Sequence, residues 1–586
     1  MHSHSFWRAI GLFGVGAVAA PSTWQSLHGR ANATGCKFDS LSSPTCWDGV
    51  FDLKTNYYTD GPKTGKTWEY NFTLTNMTVA PDGIPRTVLA INGQIPGPTI
   101  HANWGDTVVV HVENMLDYAG TALHFHGIRQ NNTNPMDGVA SVTQCPIPGS
   151  GGKMTYTWVA TQYGTSWYHS HYGVQAWDGV FGPIEIAGPA SASYNKDLGA
   201  IMLSDWTHNT SESLLEYVNT QGYGGVPMNN GLINGNNTYV KADGTTVGKR
   251  WEIPFEKDKL HRIRFVNTAM DTMYKVSFDN HSMQVIAADF VPIEPFTTNV
   301  LSIAIGQRYD VIVNASAAAG NYWFRAVPMG CGGGQDPGFD LRAIVRYDPN
   351  NTSTPAETNP PDFGSDCHDT PMDKLKPVLQ LDITHLPAKF EVDHDLAWAM
   401  HNDENTGALD WEIQTQPYLS QWDHPALQQI SENLNGSSTV FDPRQQVIRV
   451  NDTHQWIFAL LRTVEGTTHP IHLHGHDFYI VGQSDEPFNA STFVPQTVNP
   501  PRRDVAMVVD SGYLVIAFQP DNPGAWLLHC HIGWHTSEGF AVTFLEHEDR
   551  LKGLLTGGQG GALTKNCDDW KGFAEKQGIK QNDSGV

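Results

Sequence analysis

Hydrophobic and polar residues follow one another along this chain in short runs, not at the three-to-four spacing of a helix face. Thr107-Val-Val-Val-His-Val112, Tyr309-Asp-Val-Ile-Val313 and Tyr513-Leu-Val-Ile-Ala-Phe518 are β-branched or aromatic stretches bounded by Gly, Pro, Asn and Asp turns. That pattern predicts strands packed against a core. Amphipathic helical patterns are scarce, and Asp568 to Gly578 predicts one short helix near the end. The fold class is therefore all-β, several sandwiches in series. A stretch rich in Pro, Asn, Thr and Asp from Asp348 to Pro377 marks an interdomain linker, and a softer boundary lies near Gly188 to Leu198.

The first residues break the pattern. Arg8 precedes the apolar run Ala9 to Ala20, and Ala17-Val18-Ala19 offers small residues for cleavage, as in a secretory signal. No later segment is apolar for long enough to span a bilayer, so a secreted, extracellular protein with no membrane partner is expected. Asn-x-Ser/Thr sequons at Asn71, Asn76, Asn209, Asn314, Asn435 and Asn489 suit a glycoprotein. With 586 residues the expected division is a signal over 1–20, domains over 21–190, 191–350 and 377–560, a linker over 351–376, and a tail over 561–586.

Composition narrows the function. Hydrophobic content of 40% and charged content of 16% are those of a globular chain. A net charge of −24 leaves no basic stripe to neutralise phosphates, which argues against a nucleic-acid partner. Seven cysteines in a secreted chain suggest three disulfides and one remaining thiol. Six stand in ordinary Gly, Pro and polar surroundings; Cys530 stands between two histidines.

Histidines spaced by two carry the chemistry. After the signal they form four sites: His124-Phe-His126, His169-Ser-His171, His472-Leu-His474 and His529-Cys-His531. On a strand, residues i and i+2 leave the same face, so four sites offer eight imidazoles. A lone histidine such as His101, His208, His281 or His454 is usually a surface or satisfied core residue, and His2-Ser-His4 in the signal binds nothing. His476 overlaps the third site and reads as a supporting or solvated residue. Strand alternation sends Cys530 to the face opposite His529 and His531, where His535 and His469 complete a set of one Cys and two His, the arrangement of a blue-copper electron-transfer centre. One backbone segment then joins two metal centres.

These segments resemble the multicopper oxidases, and within them the laccases of ascomycete fungi. The likeness rests on His124-Phe-His-Gly127, Trp167-Tyr-His-Ser-His171, His469-Pro-Ile-His-Leu-His-Gly-His476 and His529-Cys-His-Ile-Gly-Trp-His535. The resemblance implies three cupredoxin-like Greek-key β-sandwich domains in series and four copper ions, with a trinuclear cluster between the first and third domains. It implies that His469, Cys530 and His535 hold the type 1 ion, and that His124 and His472 hold the type 2 ion. The type 3 pair would be held by His126, His169 and His531 and by His171, His474 and His529. Asp137 matches an acidic residue that delivers protons to reduced oxygen; an aspartate before Gly138 is equally a turn residue. The axial position beside the type 1 ion is Phe540, which cannot ligate and is otherwise core packing. The resemblance also implies disulfides Cys36–Cys46, Cys145–Cys567 and Cys331–Cys367. It further implies a C-terminal Asp583-Ser-Gly-Val586 that plugs a tunnel, where a chain end would ordinarily fray.

One position departs from the family. The acid expected just before Leu232-Ile-Asn-Gly235 is missing from Gln221 to Gly231, and Asn229 and Asn230 stand in its place. An amide bonds a hydroxyl but is no base near neutral pH, so simple phenols are expected to be poor donors in acid. The expected activity is one-electron oxidation of phenolic or aromatic amine donors at Cys530, with passage of electrons to His529 and His531 and reduction of dioxygen to water. A metallo-oxidase would need carboxylates or methionines lining the donor site, and no cluster of them precedes Leu232, nor is there a Met-rich insert. A bilirubin-like pigment is another donor to be weighed. A non-catalytic blue-copper protein would leave eight histidines idle. A zinc hydrolase has no use for the Cys530 arrangement.

Overall fold

Three two-sheet sandwiches follow one another in the computed structural model, which describes residues 36–586 except 222–225, 332–337, 385–391, 403–408, 415, 451–454, 464–466 and 582. The expected signal and the stretch up to Cys36 lie outside the described residues. The strands read from the sequence run Thr107–Asn114, Arg308–Asn314 and Tyr513–Phe518. In Thr107–Asn114 alternate residues are buried, because the period of two turns Val108, Val110 and Val112 inward and leaves the others towards solvent.

In the first sandwich, Thr67–Val79 pairs parallel with Thr107–Asn114 and antiparallel with Arg86–Ile91, while Gly152–Val159 closes the sheet. The facing sheet runs Ile100–Asn103, Phe181–Ala187, Gly164–His169, His124–Phe125. Phe72, Leu74, Val110, Phe125, Tyr156, Trp158 and Ile184 fill the space between them. Each such side chain contributes about 1.5–3 kcal/mol on leaving water.

The second sandwich has sheets of six and five strands and the third of seven and five. Their interiors join: Phe265, Phe324 and Val311 of the second belong to the same apolar cluster as Ile471, Leu473, Ile516 and Leu528 of the third. The connecting stretch is irregular but fastened. Lys275 bonds Asp366, Arg325 bonds Thr358, and Asp369 accepts from Gln307 of the second sandwich and from the Met507 amide of the third.

The helix expected over 568–578 starts earlier, as Gly560–Gln577. Leu563, Cys567 and Trp570 form a stripe that packs against Cys145, Tyr172 and Leu427, so burial extends a helix that Gly560 and Gly561 disfavour. The three disulfides are Cys36–Cys46, Cys145–Cys567 and Cys331–Cys367, and Cys530 is the free thiol. Cys145–Cys567 ties this last helix back to the first sandwich.

Candidate metal centres

Two strand pairs set the histidines. His124 lies opposite His169 where His124–Phe125 meets Gly164–His169, and His472 lies opposite His529 where His469–Leu473 meets Gly524–Cys530. Each pair of histidines straddles a strand end: His126, His171, His474 and His531 stand just beyond the last paired residues. The two members of a pair stay close, 5.4 Å between ring centroids for His529 and His531 and 5.8 Å for His169 and His171. The strand end nevertheless turns them apart in three of the four pairs: His169 and His171, His472 and His474, and His529 and His531 join different groups, while His126 falls with His124 and also with His169 and His531.

Ligand atoms within 4.8 Å of one another form the groups His124, His126 and His472; His126, His169 and His531; and His171, His474 and His529. Every one of these eight side chains is buried. Burial is the first cause that holds His126, His169, His171, His472, His474 and His531 far below the usual imidazole range, with neighbouring histidines adding to it; His529 is held at about 4. Burial thus favours the neutral form, which carries a lone pair, in these seven imidazoles. The Nε2 atoms of His124, His169 and His472 and Nδ1 of His531 have no hydrogen-bond partner among the described residues. An orphaned buried polar atom costs about 1–3 kcal/mol. Several neutral imidazoles converging on one cavity fit cations, and the donor set suits copper, zinc or iron alike.

Cys530 resolves that choice. Its Sγ is 3.6 Å from His469 Nδ1 and 3.7 Å from His535 Nδ1, and the two nitrogens are 3.2 Å apart. Burial pushes the thiol well above its usual range, with Asp271 and Glu538 adding to the shift, and pushes His535 down to about 3. A thiolate there needs a metal, and two imidazoles with one thiolate form the His₂Cys set of a blue-copper site. Phe540 sits 4.9 Å from His469 by ring centroids and packs on Trp398 and Trp411. Trp411 also lies 4.5 Å from His535, so an aromatic wall keeps water from the centre.

Asp137 joins two domains. Its Oδ2 accepts from His474 Nδ1 at 2.9 Å, Oδ1 is 3.3 Å from His124 Nδ1, and its carbonyl accepts from His124 Nδ1 at 2.7 Å. Its own amide closes the short turn Asn134–Met136, so it is a turn residue and a partner of the histidines at once. His476 is buried, with Nδ1 on the His474 carbonyl and Nε2 3.1 Å from Glu546, whose charge helps raise its pKa against burial.

Asn229 and Asn230 are placed differently from the other candidates. Asn230 Nδ2 donates to Asp82 and to the Thr238 carbonyl, and its Oδ1 accepts from Asn237. Asn229 Oδ1 accepts from the His208 amide. These amides brace a loop, and part of their segment, 222–225, lies outside the described residues. Sequence reasoning sought an acid there and missed Glu538, buried beside the Trp411 indole and pushed well above the usual carboxylate range by burial first, then by Asp410 and Asp271. It also missed Asp504, whose carboxylate accepts from His126 and whose carbonyl accepts from His472. Nothing in the local sequence marks Asp504, which follows two arginines at a strand edge.

The chain end is docked. Ser584 bonds the Thr536 carbonyl and the Ser537 carbonyl, and the Ser420 amide bonds the Ser584 carbonyl. Val586 is buried and lines a cavity of about 20 Å³ with His169, His171, His529 and His531.

Three family models described as multicopper oxidase match residues 73–191, 198–350 and 416–550. The chain is 42% identical to an oxidoreductase, OpS5, of Beauveria bassiana, covering 93% of this chain and 92% of the relative. It is 40% identical to laccase-2 of Botryotinia fuckeliana, covering 97% of each. Among solved structures, the laccase of Botrytis aclada superposes with a TM-score of 0.86 at 38% identity, over 94% of this chain and 100% of that one.

Proposed function

The chain belongs to the multicopper oxidases, and from that premise we propose how its own residues divide the work of a laccase. It is a laccase-type copper oxidoreductase that passes electrons from a donor to dioxygen and holds four copper ions. Copper, when bound, supplies the one-electron couple at Cys530 and the four-electron reduction of dioxygen to water among the histidines. His469, Cys530 and His535 hold the type 1 ion; His124 and His472 the type 2 ion; His126, His169 and His531, with His171, His474 and His529, the type 3 pair. The observation that supports this division is that His126, His169 and His531, then His171, His474 and His529, then His469, Cys530 and His535 each converge, that His124 and His472 lie together beside His126, and that Cys530 is 3.6 Å and 3.7 Å from its two histidines.

Electrons leave the Cys530 side chain along the backbone to His529 and His531. A shorter route crosses the hydrogen bond between His529 Nδ1 and the Cys530 carbonyl, 2.7 Å long. Asp137, bonded to His474 and beside His124, holds or passes a proton at the cluster. Trp398, Trp411 and Phe540 exclude water from the Cys530 centre, and Phe540, packed against His469, would offer no ligand atom to an ion held there. The donors are small phenols and aromatic amines, which need no dedicated metal site to give up one electron. The protein acts outside the cell.

Elemental analysis with oxygen uptake tests the reading. Four coppers per chain, and one dioxygen consumed for every four molecules of a methoxyphenol oxidised, are expected. About one copper per chain without oxygen uptake would instead identify an electron carrier, and bound zinc a hydrolase.

A further inference from the structure

Five of the cluster histidines are held alike. An oxygen engages Nδ1 of His124 (Asp137 carbonyl, 2.7 Å), His169 (Ser170 carbonyl, 3.0 Å), His472 (Asp504 carbonyl, 2.7 Å), His474 (Asp137 Oδ2, 2.9 Å) and His529 (Cys530 carbonyl, 2.7 Å). A carbonyl or carboxylate oxygen only accepts, so Nδ1 carries the proton and Nε2 faces inward with its lone pair. His126 is reversed. Its Nε2 lies 3.1 Å from Asp504 Oδ1, and its Nδ1 faces His531 Nε2 at 3.3 Å.

Asp504 is itself held from the middle sandwich. Arg308 grips it with both ends of its guanidinium, 2.5 Å to Oδ1 and 2.6 Å to Oδ2. Two further guanidinium donors reach the Thr165 carbonyl of the first sandwich and the Gly306 carbonyl of the second, both at 3.2 Å. Arg308 is fully buried and touches all three sandwiches. Two glycines make room. Gly127, at φ +72°, would place a Cβ 2.4 Å from Asp504 Oδ2 and 2.6 Å from Arg308 Nη2, and a Cβ at Gly306 would lie 3.0 Å from His531 Cδ2. The bare backbone after His126 therefore lies directly on the Arg308–Asp504 pair.

We propose that Arg308, from the one sandwich that supplies no cluster ligand, fixes through Asp504 which nitrogen of His126 faces the cluster, and so acts as a positioning residue for dioxygen reduction. The inference rests on His126 being a copper ligand. Because Arg308 donates to both oxygens of Asp504, the carboxylate meets His126 as an acceptor, only the Nε2-protonated form of His126 is satisfied, and Nδ1 is left as the donor. An amide at 504 presents either its oxygen or its NH₂, and the latter reverses the tautomer and puts a proton where the lone pair belongs. A lysine at 308 keeps the charge but loses the fork that orients the carboxylate. A pair that served only to clamp domains would act on stability, with no preference for one copper centre.

The test compares holoenzymes of the wild type, Asp504→Asn and Arg308→Lys. Copper per chain, thiolate–copper absorption, anaerobic bleaching of that absorption by a phenol and its return on adding dioxygen are measured beside the melting temperature. In Asp504→Asn the absorption and the bleaching rate are expected to match the wild type, while return with dioxygen slows by about 10–100-fold or copper falls below four per chain. Arg308→Lys is expected to shift the same readouts less, and it decides the matter if Asp504→Asn does not fold. Reoxidation and copper content unchanged in a folded variant overturn the proposal, as does a loss of absorption, copper and melting temperature together. A wild type short of four coppers would sink the parent reading instead, before any variant is compared.

Discussion

Cys530, His469 and His535 all come from the third sandwich, whereas the other eight histidines come from the first and third across an interface. The two centres are also walled differently. Around Cys530 the neighbours are aromatic: Phe540, Trp398 and Trp411 pack on one another and on the two histidines. Around the eight histidines Trp167 stacks on His169, but the hydrogen-bonding neighbours are carboxylates and carbonyls, with Asp137 and Asp504 each serving two rings. A centre made within one sandwich is placed by strand pairing and apolar packing. A centre made between sandwiches needs directional bonds that cross the interface, because packing alone leaves the sandwiches room to slide. The first arrangement tunes a potential, and the second sets ligand orientation.

The severest way to break the comparison is Cys530→Ser. It is expected to abolish the blue thiolate–copper absorption and donor oxidation together, while the histidine cluster still loads copper. Blue colour surviving in the variant would show that another residue supplies the thiolate role.

Asp137→Asn is next in size. It strikes only the bridged centre, so blue absorption should persist while turnover with dioxygen falls by about 10–100-fold, the usual range for a partner of ligating histidines. An equal loss at both centres would erase the distinction between them.

A smaller effect concerns the docked tail beside the cluster. Burial, reinforced by Glu212, raises the Asp583 carboxyl to about 7 against the Gly585 amide, which lowers it. With the docked pKa above the undocked value of 3.8, the docked tail binds more protons, and its stability falls as pH rises from about 4 through about 7. Limited proteolysis of the last residues should therefore quicken across that window in the wild type and lose its pH dependence in Asp583→Asn. A flat wild-type profile would argue against the buried acid, and the Cys530 absorption should be indifferent throughout.

The gentlest test is Phe540→Met. A thioether near the thiolate–copper centre favours the oxidised ion, so the potential should drop, with the cluster untouched. Redox titration of the blue band measures it, and a potential unchanged or raised would remove Phe540 from the axial place.

How much of this was legible beforehand depends on distance along the chain. The all-β class and the strands around Val110, Val311 and Ile516 follow from a period of two that any six residues display. The opposed faces of Cys530 and its neighbours follow from the same period, and spacing by two singled out the eight histidines that the structure brings together. The distribution of those histidines depended on the ends of the strands, which turn His171, His474 and His531 away from their sequence partners, and alternation within a strand says nothing about its end. Asp504 lies 378 residues from His126 and 196 from Arg308. Asn230, an expected donor contact, is held by Asp82, 148 residues away. Local pattern determines which face a side chain leaves because backbone geometry repeats every two residues. Which carboxylate meets which histidine is decided only when three sandwiches dock, since no short-range regularity links residues whose sole connection is the interface they share.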